Sequence, residues 1–395
     1  MMFNTTKKNT KLYFEIIQKL YYNNKLSSVE LSNLTNRSIP LITKSVNTLI
    51  EQGFVEESGY APSSGGRRPL IYSLNKDRLF IVTVAVDQLN TRIGIIDLEN
   101  DYKFPVEVFS LGLKNNPDSL TDLANIISNY IDNSGIDKSK IIGIGIGMPG
   151  IVNTTLGVNY TYFNTNKQSI PKFISKKTGL PTFIDNDSSV MALSELKFGL
   201  AKDINDALVI NLGWGIGLGL IINGQIYRGN NGFAGEFSHI SVSEEGPLCT
   251  CGKQGCLETE ASLLAIADNA IEGLKQGKKS SLKYEEKEGN IVFSGEIMSA
   301  ALKGDKFAIE LLSEAGFKIG KGISILIHIL NPKSIIISGK ATKVGNLLIP
   351  PIQQALNQYC MSRLVNETDI LISDLGFDAE LIGAAVLVME SYNAG

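Results

Sequence analysis

The sequence predicts an α/β protein in two parts: a small helical head that ends in a β-hairpin, and a larger body in which a hairpin-led set of strands and helices occurs twice. Three observations carry this. Apolar residues recur at helical spacing through three short segments before Gly53, then form two short strands ending near Tyr72. Runs rich in β-branched residues, separated by amphipathic helices, begin at Phe80 and again at Ala207. Charge divides with the pattern: residues 1–76 hold ten Lys or Arg against five Glu, a formal +5, whereas the remainder holds 27 against 35, a formal −8. A basic head on an acidic body points to a polyanionic partner for the head alone.

With 395 residues, 43% of them apolar, the chain suffices for two or three domains and is unlike a disordered protein. Its apolar runs are short, the stretch Ile323 to Leu330 being interrupted by His328, so no membrane span is expected. No leader-like segment is evident, and a cytoplasmic location is expected.

In the head, Leu12, Phe14, Ile16, Ile17, Leu20 and Tyr21 line one face of a helix over Lys11 to Tyr22. Ser27 and Glu30 have the spacing of a capping box, starting a second helix with Val29, Leu31 and Leu34. Ser38 caps a third, with Pro40 in its first turn and Gly53 as its stop. Its inward stripe is Ile42, Val46, Leu49 and Ile50, which turns Thr43, Lys44 and Asn47 outward as groups suited to base edges and phosphates. Phe54 to Glu56 and Leu70 to Tyr72 then read as a hairpin whose connection carries Arg67 and Arg68. Three helices and a hairpin make a winged helix-turn-helix, with the arginines available to a minor groove or to phosphates. The same pattern can also serve as a protein–protein module.

In the body, Phe80 to Val86 and Thr91 to Ile96 form an antiparallel hairpin, Leu120 to Ile131 a helix and Ile141 to Ile146 a buried strand. Asp185, Asn186 and Asp187 stand between a strand, Thr182 to Ile184, and a helix, Ser188 to Phe198, where a carboxylate can simply cap the helix. The second set has strands over 207–212 and 216–222, a turn at Asn223-Gly224, and a strand over Ile335 to Ser338. His328 reads as a core residue of an apolar helix, Cys360 as a buried thiol, and Gln276 to Gly289 as a solvated loop.

The densest chemistry lies between Gly232 and Glu260. Cys249, Cys251 and Cys256 fall within eight residues, with His239 ten residues upstream. Three thiols and an imidazole complete a tetrahedral zinc site with no open position, which makes the metal structural. Zinc there would pin a glycine-rich loop with too little apolar surface to order itself. The loop also carries Glu236 and Glu258, acceptors of the kind a sugar's hydroxyls need, the lesser alternative being that both are solvated.

At these residues the chain resembles the ROK family, which groups bacterial sugar-responsive repressors with sugar kinases. The resemblance is carried by Gly235-Glu236-Phe237-Ser238-His239 followed by Cys249-x-Cys251-Gly252-x-x-Gly255-Cys256-x-Glu258, with Phe237 and Ser238 standing where Ile and Gly are frequent. It implies zinc on His239, Cys249, Cys251 and Cys256, and a monosaccharide on Asn186, Asp187, Glu236, His239 and Glu258, with His239 serving both through its two ring nitrogens. It implies an actin-like, ribonuclease H-like body of two lobes with ligand between them: a first lobe over 77–200, with the final helix (380–395) packing back on it, and a second over 201–379. The head, residues 1–76, resembles the DNA-binding domain of the family's repressors, whose wings commonly read Gly-Arg-Arg-Pro.

In kinase members of the family, the carboxylate matching Asp187 is the general base, and Asp-x-Gly-Gly-Thr and a second glycine loop hold ATP. Here the first reads Asp87-Gln88-Leu89-Asn90-Thr91 and the second carries Trp214 where kinases offer Thr. Leu89 and Asn90 add bulk where phosphate must approach and are unsuited to a turn needing positive φ. Lys340 after Gly339 is a further departure. The expected function is a repressor, acting as a homodimer or homotetramer on operator double-stranded DNA, answering to a monosaccharide and lacking kinase activity. The alternative is a sugar kinase using Asp187 as base. Xylose, glucose and N-acetylglucosamine all suit the residues, and the loop from Tyr160 to Asn166 is expected to help choose.

Overall fold

A computed structural model describes residues 7–61, 68–163, 168–283 and 293–392. The chain forms two compact units, Met1–Asp185 with Ala384–Gly395, and Asn186–Gly383.

The first unit opens with α1 (Lys7–Asn23), whose Phe14, Ile16, Ile17, Leu20 and Tyr21 are buried. A short strand not foreseen in the sequence, β1 (Lys25–Ser27), leads into α2 (Ser28–Thr35). The capping box is formed: the Glu30 N–H donates to Ser27 Oγ at 3.3 Å, and Glu30 Oε2 accepts the Ser27 N–H at 2.7 Å. Asn36 closes the helix at φ 52, the left-handed region its short amide tolerates.

In α3 (Ile39–Glu51), Ile42, Val46 and Leu49 are fully buried as expected. Ser45 shares that face, while Ile50 is only half-buried, because the stripe follows 3.6 residues per turn and drifts off Ile50. Ser38 stands at the N-cap without a side-chain bond, so Pro40 rather than a hydroxyl sets the start. β2 (Val55–Tyr60) and β3 (Leu70–Leu74) pair antiparallel, and β1 adds to β3, giving the order β1-β3-β2. Three helices followed by the β2–β3 hairpin give the element order expected of the head.

The rest of the unit is a five-stranded sheet. It is built from β4 (Phe80–Val86), β5 (Asn90–Ile96) and β6 (Glu107–Ser110), then α4 (Ser119–Ser134) and β7 (Ile141–Met148). A small hairpin, β8 (Val152–Asn153) with β9 (Val158–Asn159), precedes α5 (Ile170–Thr178) and β10 (Thr182–Asn186). The order is β10-β7-β4-β5-β6, with β4 antiparallel to β5 and parallel to β7. Val82, Val84, Ile93, Ile95, Ile144 and Ile146 form its core with Leu123 and Ile127 of α4.

The second unit repeats the plan. After α6 (Asp187–Phe198) come β11 (Ala207–Leu212), β12 (Ile216–Ile222) and β13 (Gln225–Ile226), then α7 (Leu257–Ala261), α8 (Leu263–Lys275), α9 (Phe293–Leu302) and the long α10 (Lys306–Leu330). β14 (Ser334–Ser338), α11 (Gly345–Tyr359), α12 (Ser362–Glu367) and β15 (Asp369–Ile372) complete it. The order β13-β12-β11-β14-β15 again sets an antiparallel hairpin beside parallel strands. Leu208, Ile210 and Leu218 pack with Leu312, Ile319 and Ile323 of α10.

The last helix, α13 (Ala379–Ser391), ends within the first unit. There Gln18 Nε2 donates to the Met389 carbonyl at 2.9 Å, Tyr22 Oη donates to Glu390 Oε1 at 2.9 Å, and the Phe14 and Tyr392 rings lie 4.9 Å apart.

His328 is exposed, not a core residue: its Nδ1 lies 2.8 Å from the Ser324 carbonyl and its Nε2 accepts the Met361 N–H at 3.3 Å, so it ties α10 to the start of α12. Cys360 is buried. Of the stretch Gln276 to Gly289, residues 276–283 are mostly exposed and those after 283 lie outside the described residues. Among the described residues no helix is long and apolar enough to cross a membrane.

Candidate functional site

A loop between β13 and α7 cannot form a core of its own, and what orders it in the second unit is a cluster of side chains. A 3-10 turn over Phe237–His239 and two isolated bridges, Ser241 with Cys256 and Leu248 with Gln254, bring His239, Cys249, Cys251 and Cys256 together. Their ligand atoms all lie within 4.8 Å of one another. Cys249 Sγ is 3.6 Å from His239 Nδ1, and Cys251 Sγ is 3.6 Å from Cys256 Sγ. Tetrahedral zinc with Zn–S near 2.3 Å sets neighbouring sulfurs about 3.8 Å apart, so the cluster fits a four-coordinate ion.

The donor chemistry fits as well. Burial pushes the Cys256 thiol up to about 12, so its ionisation at neutral pH calls for a cation among the four. Cys251 is exposed and moved the other way, chiefly by the Lys253 backbone N–H. The histidine presents Nδ1 to the cluster, while Nε2 lies 3.7 Å from Glu236 Oε2. A carboxylate on the side of the second ring nitrogen favours the tautomer that leaves Nδ1 as an acceptor for a metal.

Three carboxylates stand beside this cluster. Asn186, not a carboxylate, caps α6: its Oδ1 accepts the N–H groups of Ser188 and Ser189 at 2.9 and 3.3 Å. The amide thereby frees Asp187, whose Oδ1 accepts the Ser188 N–H at 2.7 Å and the Ser188 hydroxyl at 3.0 Å. Burial, reinforced by the charge of Glu236, pushes Asp187 up to about 6 despite those bonds. Glu258, in α7, accepts the Ile216 N–H at 2.8 Å, and is pushed up to about 7 by burial and then by Asp187 and Glu236. Partial desolvation also raises Glu236, whose side chain is 45% exposed, and His239 partly offsets it. Asp187, Glu236 and Glu258 therefore feel one another's charge, an arrangement suited to a neutral ligand with several hydroxyl donors. The Ser188 hydroxyl and the Ile216 amide, which hold two of the three, have no signature in the sequence and were missed there.

On the head, Thr43, Lys44 and Asn47 line an open face of α3 together with Ile39, Pro40, Thr48 and Glu51. Lys44 and Asn47 are exposed and Thr43 half-exposed, its hydroxyl donating to the Ile39 carbonyl at 2.9 Å. Arg68 is exposed; Arg67 lies outside the described residues.

The β4–β5 turn differs from what its residues led one to expect. Neither Leu89 nor Asn90 has positive φ. Asp87 Oδ1 accepts the N–H groups of both, at 2.9 and 2.8 Å, so a side-chain-closed turn removes the strain. The same carboxylate engages both backbone amides at the tip of the turn. In the second unit, the Lys340 ammonium lies 3.9 Å from the centroid of the Trp214 ring.

The model of the ROK family matches residues 97–391. The chain belongs to the ROK family. The xylose repressor of Bacillus spizizenii is 30% identical over 396 residues, covering 98% of this chain and 96% of its own length. The glucokinase of Halalkalibacterium halodurans is 35% identical over 277 residues, covering 69% of this chain and 84% of its own. Among solved structures, a ROK family transcriptional regulator described as a homologue of the E. coli Mlc protein matches with a TM-score of 0.78 at 25% identity, over 98% of this chain and 96% of that one. The ROK body thus has the actin-like fold expected of it, with a helix-turn-helix head before it.

Proposed function

We propose that this protein is a sugar-responsive transcriptional repressor: its winged head binds operator DNA, and a zinc-stabilised pocket in its body binds a monosaccharide that releases the DNA. The observation that carries this is the end-to-end correspondence with a repressor, head included, together with the cysteine and histidine cluster beside three carboxylates. Zinc held by His239, Cys249, Cys251 and Cys256 would supply no Lewis acid chemistry, since four protein ligands fill its coordination. It would fix the loop that presents Glu236 and Glu258.

In this reading Asn186, Asp187, Glu236, His239 and Glu258 accept or donate hydrogen bonds to sugar hydroxyls. Thr43, Lys44, Asn47, Arg67 and Arg68 contact DNA. The division into residues 1–76, 77–200 with 380–395, and 201–379 belongs to the same proposal, as do a cytoplasmic location and a homodimer or homotetramer. Two heads are needed because one recognition helix covers too little DNA for useful specificity. A tenfold release requires the sugar to favour the non-binding state by about 1.4 kcal/mol.

Selecting duplexes from a random library with the purified protein, then challenging the complex with D-xylose, D-glucose and N-acetyl-D-glucosamine, tests the reading. A selected sequence released by one of the sugars supports it; no enrichment of any duplex would sink it. The second reading, a sugar kinase with Asp187 as general base, draws on the glucokinase relative and on a carboxyl raised to about 6. Against it stand the two amides taken by Asp87 and the Trp214 ring covered by Lys340. Turnover of ATP with any of the three sugars that disappears in Asp187→Ala would establish it.

A further inference from the structure

We propose that Lys318 is a positioning residue for the carboxylate site: by holding the buried Glu260, it fixes the rotation of α7, and hence the direction of Glu258, along a path separate from the metal. Helix α7 is five residues long, too short for its own hydrogen-bond ladder to set its orientation. Its side chains do so instead. Leu257 is fully buried, Glu258 bonds the Ile216 N–H, and Glu260 accepts a hydrogen bond from Lys318 Nζ.

Glu260 is 7% exposed and the Lys318 side chain 35%. A carboxylate buried that far is costly unless paired, so α7 cannot turn away from Lys318 without stranding a charge. Residues two apart on a helix point about 200° apart, so the rotation that frees Glu260 also draws Glu258 off the Ile216 amide.

Two neighbours of Lys318 on α10 support the other end of the loop. Lys321 Nζ donates to the Val242 carbonyl at 2.6 Å, three residues beyond His239. Gly322 makes room for Phe237, which lies between Glu236 and His239: a methyl at 322 would stand 2.9 Å from Phe237 Cζ and 3.2 Å from Leu257 Cδ2. One face of α10 thus backs both ends of the loop, and none of these contacts uses a donor atom of the metal cluster. The positioning stands on these contacts alone; only its consequence for sugar rests on the function proposed above.

The experiment measures amide hydrogen exchange at Ile216 in the full-length, zinc-replete protein and in Lys318→Met and Lys318→Arg, with bound metal quantified in each. In Lys318→Met the Ile216 amide should exchange about tenfold faster at unchanged metal content, and Lys318→Arg should restore protection. Unchanged exchange at Ile216 overturns the proposal. Should Lys318→Met fail to accumulate, Glu260→Gln, which keeps the shape and removes the charge, carries the same test with the same two outcomes. Titration with D-xylose, D-glucose and N-acetyl-D-glucosamine separates the two readings. Faster exchange with about tenfold weaker sugar binding supports both, whereas faster exchange with undiminished binding keeps the positioning role and removes Glu258 from the sugar site.

Discussion

The Ile216 N–H donates to Glu258 Oε2 at 2.8 Å, and at Gly215, the residue before it, a methyl would stand 2.5 Å from Glu258 Oε1. The glycine loop after β11 is therefore shaped around a carboxylate of its own chain. Replacing Glu258 by Ala removes both that bond and a charged acceptor for sugar. Sugar affinity should fall by about 10- to 100-fold, the worth of one hydrogen bond to a charged group. Calorimetric titration reads it, and undiminished affinity would take Glu258 out of the site.

The carboxylates also predict opposite pH dependences for stability and for sugar binding. Asp187 is raised to about 6 and Glu258 to about 7, so between the unfolded carboxylate range and these values the folded protein binds more protons than the unfolded chain. Their contribution to the ligand-free protein's stability therefore declines as pH rises from roughly 4.5 through 7. Sugar hydroxyls donate to the ionised forms, so affinity should climb over the upper part of that window and level off above it. Thermal unfolding with and without sugar, from about pH 5.5 to 8 at constant metal content, shows both trends. A ligand-induced shift independent of pH would contradict the assignment of Asp187 and Glu258.

Lys44 and Arg68 are exposed cations on α3 and at the start of the hairpin's returning arm. If each neutralises a phosphate, Lys44→Ala or Arg68→Ala should lower the slope of log affinity against log salt by about 0.9. Asn47→Ala should instead relax sequence preference, costing about 1–3 kcal/mol on the preferred site only. Equal salt slopes for wild type and both cation variants would remove them from the phosphate contacts.

Cys251 is the exposed member of the cysteine and histidine cluster, so Cys251→Ser disturbs packing least. Bound metal should fall, and sugar affinity with it by about tenfold or more, as for loss of a supporting ligand. The loss should be partial, because the Lys318–Glu260 pair still holds α7. Full sugar affinity in metal-free Cys251→Ser would show that the metal does not support the pocket.

Much of this was legible along the chain. The capping box at Ser27 and Glu30, the buried stripe of Ile42, Val46 and Leu49, and the hairpin after Ala207 each rest on spacing within one element, where periodicity and local hydrogen bonds decide the outcome. The gathering of His239, Cys249, Cys251 and Cys256 was legible for a related reason: thiols and an imidazole at short spacing have few other partners. Misreadings came where a side chain answered to something distant. Strand β1 exists only because β3, more than forty residues away, offers an edge to pair with. The turn after Asp87 lacks positive φ because that carboxylate closes it, and His328 sits outside the core because the Met361 amide engages it.

By itself, then, the sequence determined the elements, the cysteine and histidine set that could hold a metal, and the candidate carboxylates, since these follow from residue type and spacing over one or two turns. Only the tertiary structure decided which groups hold those carboxylates: Asn186 rather than Asp187 at the helix cap, Ile216 on Glu258, and Lys318 on Glu260. These choices depend on burial, which makes an unpaired charge or an unfilled hydrogen bond too costly, and burial is fixed only when segments far apart in the chain pack together.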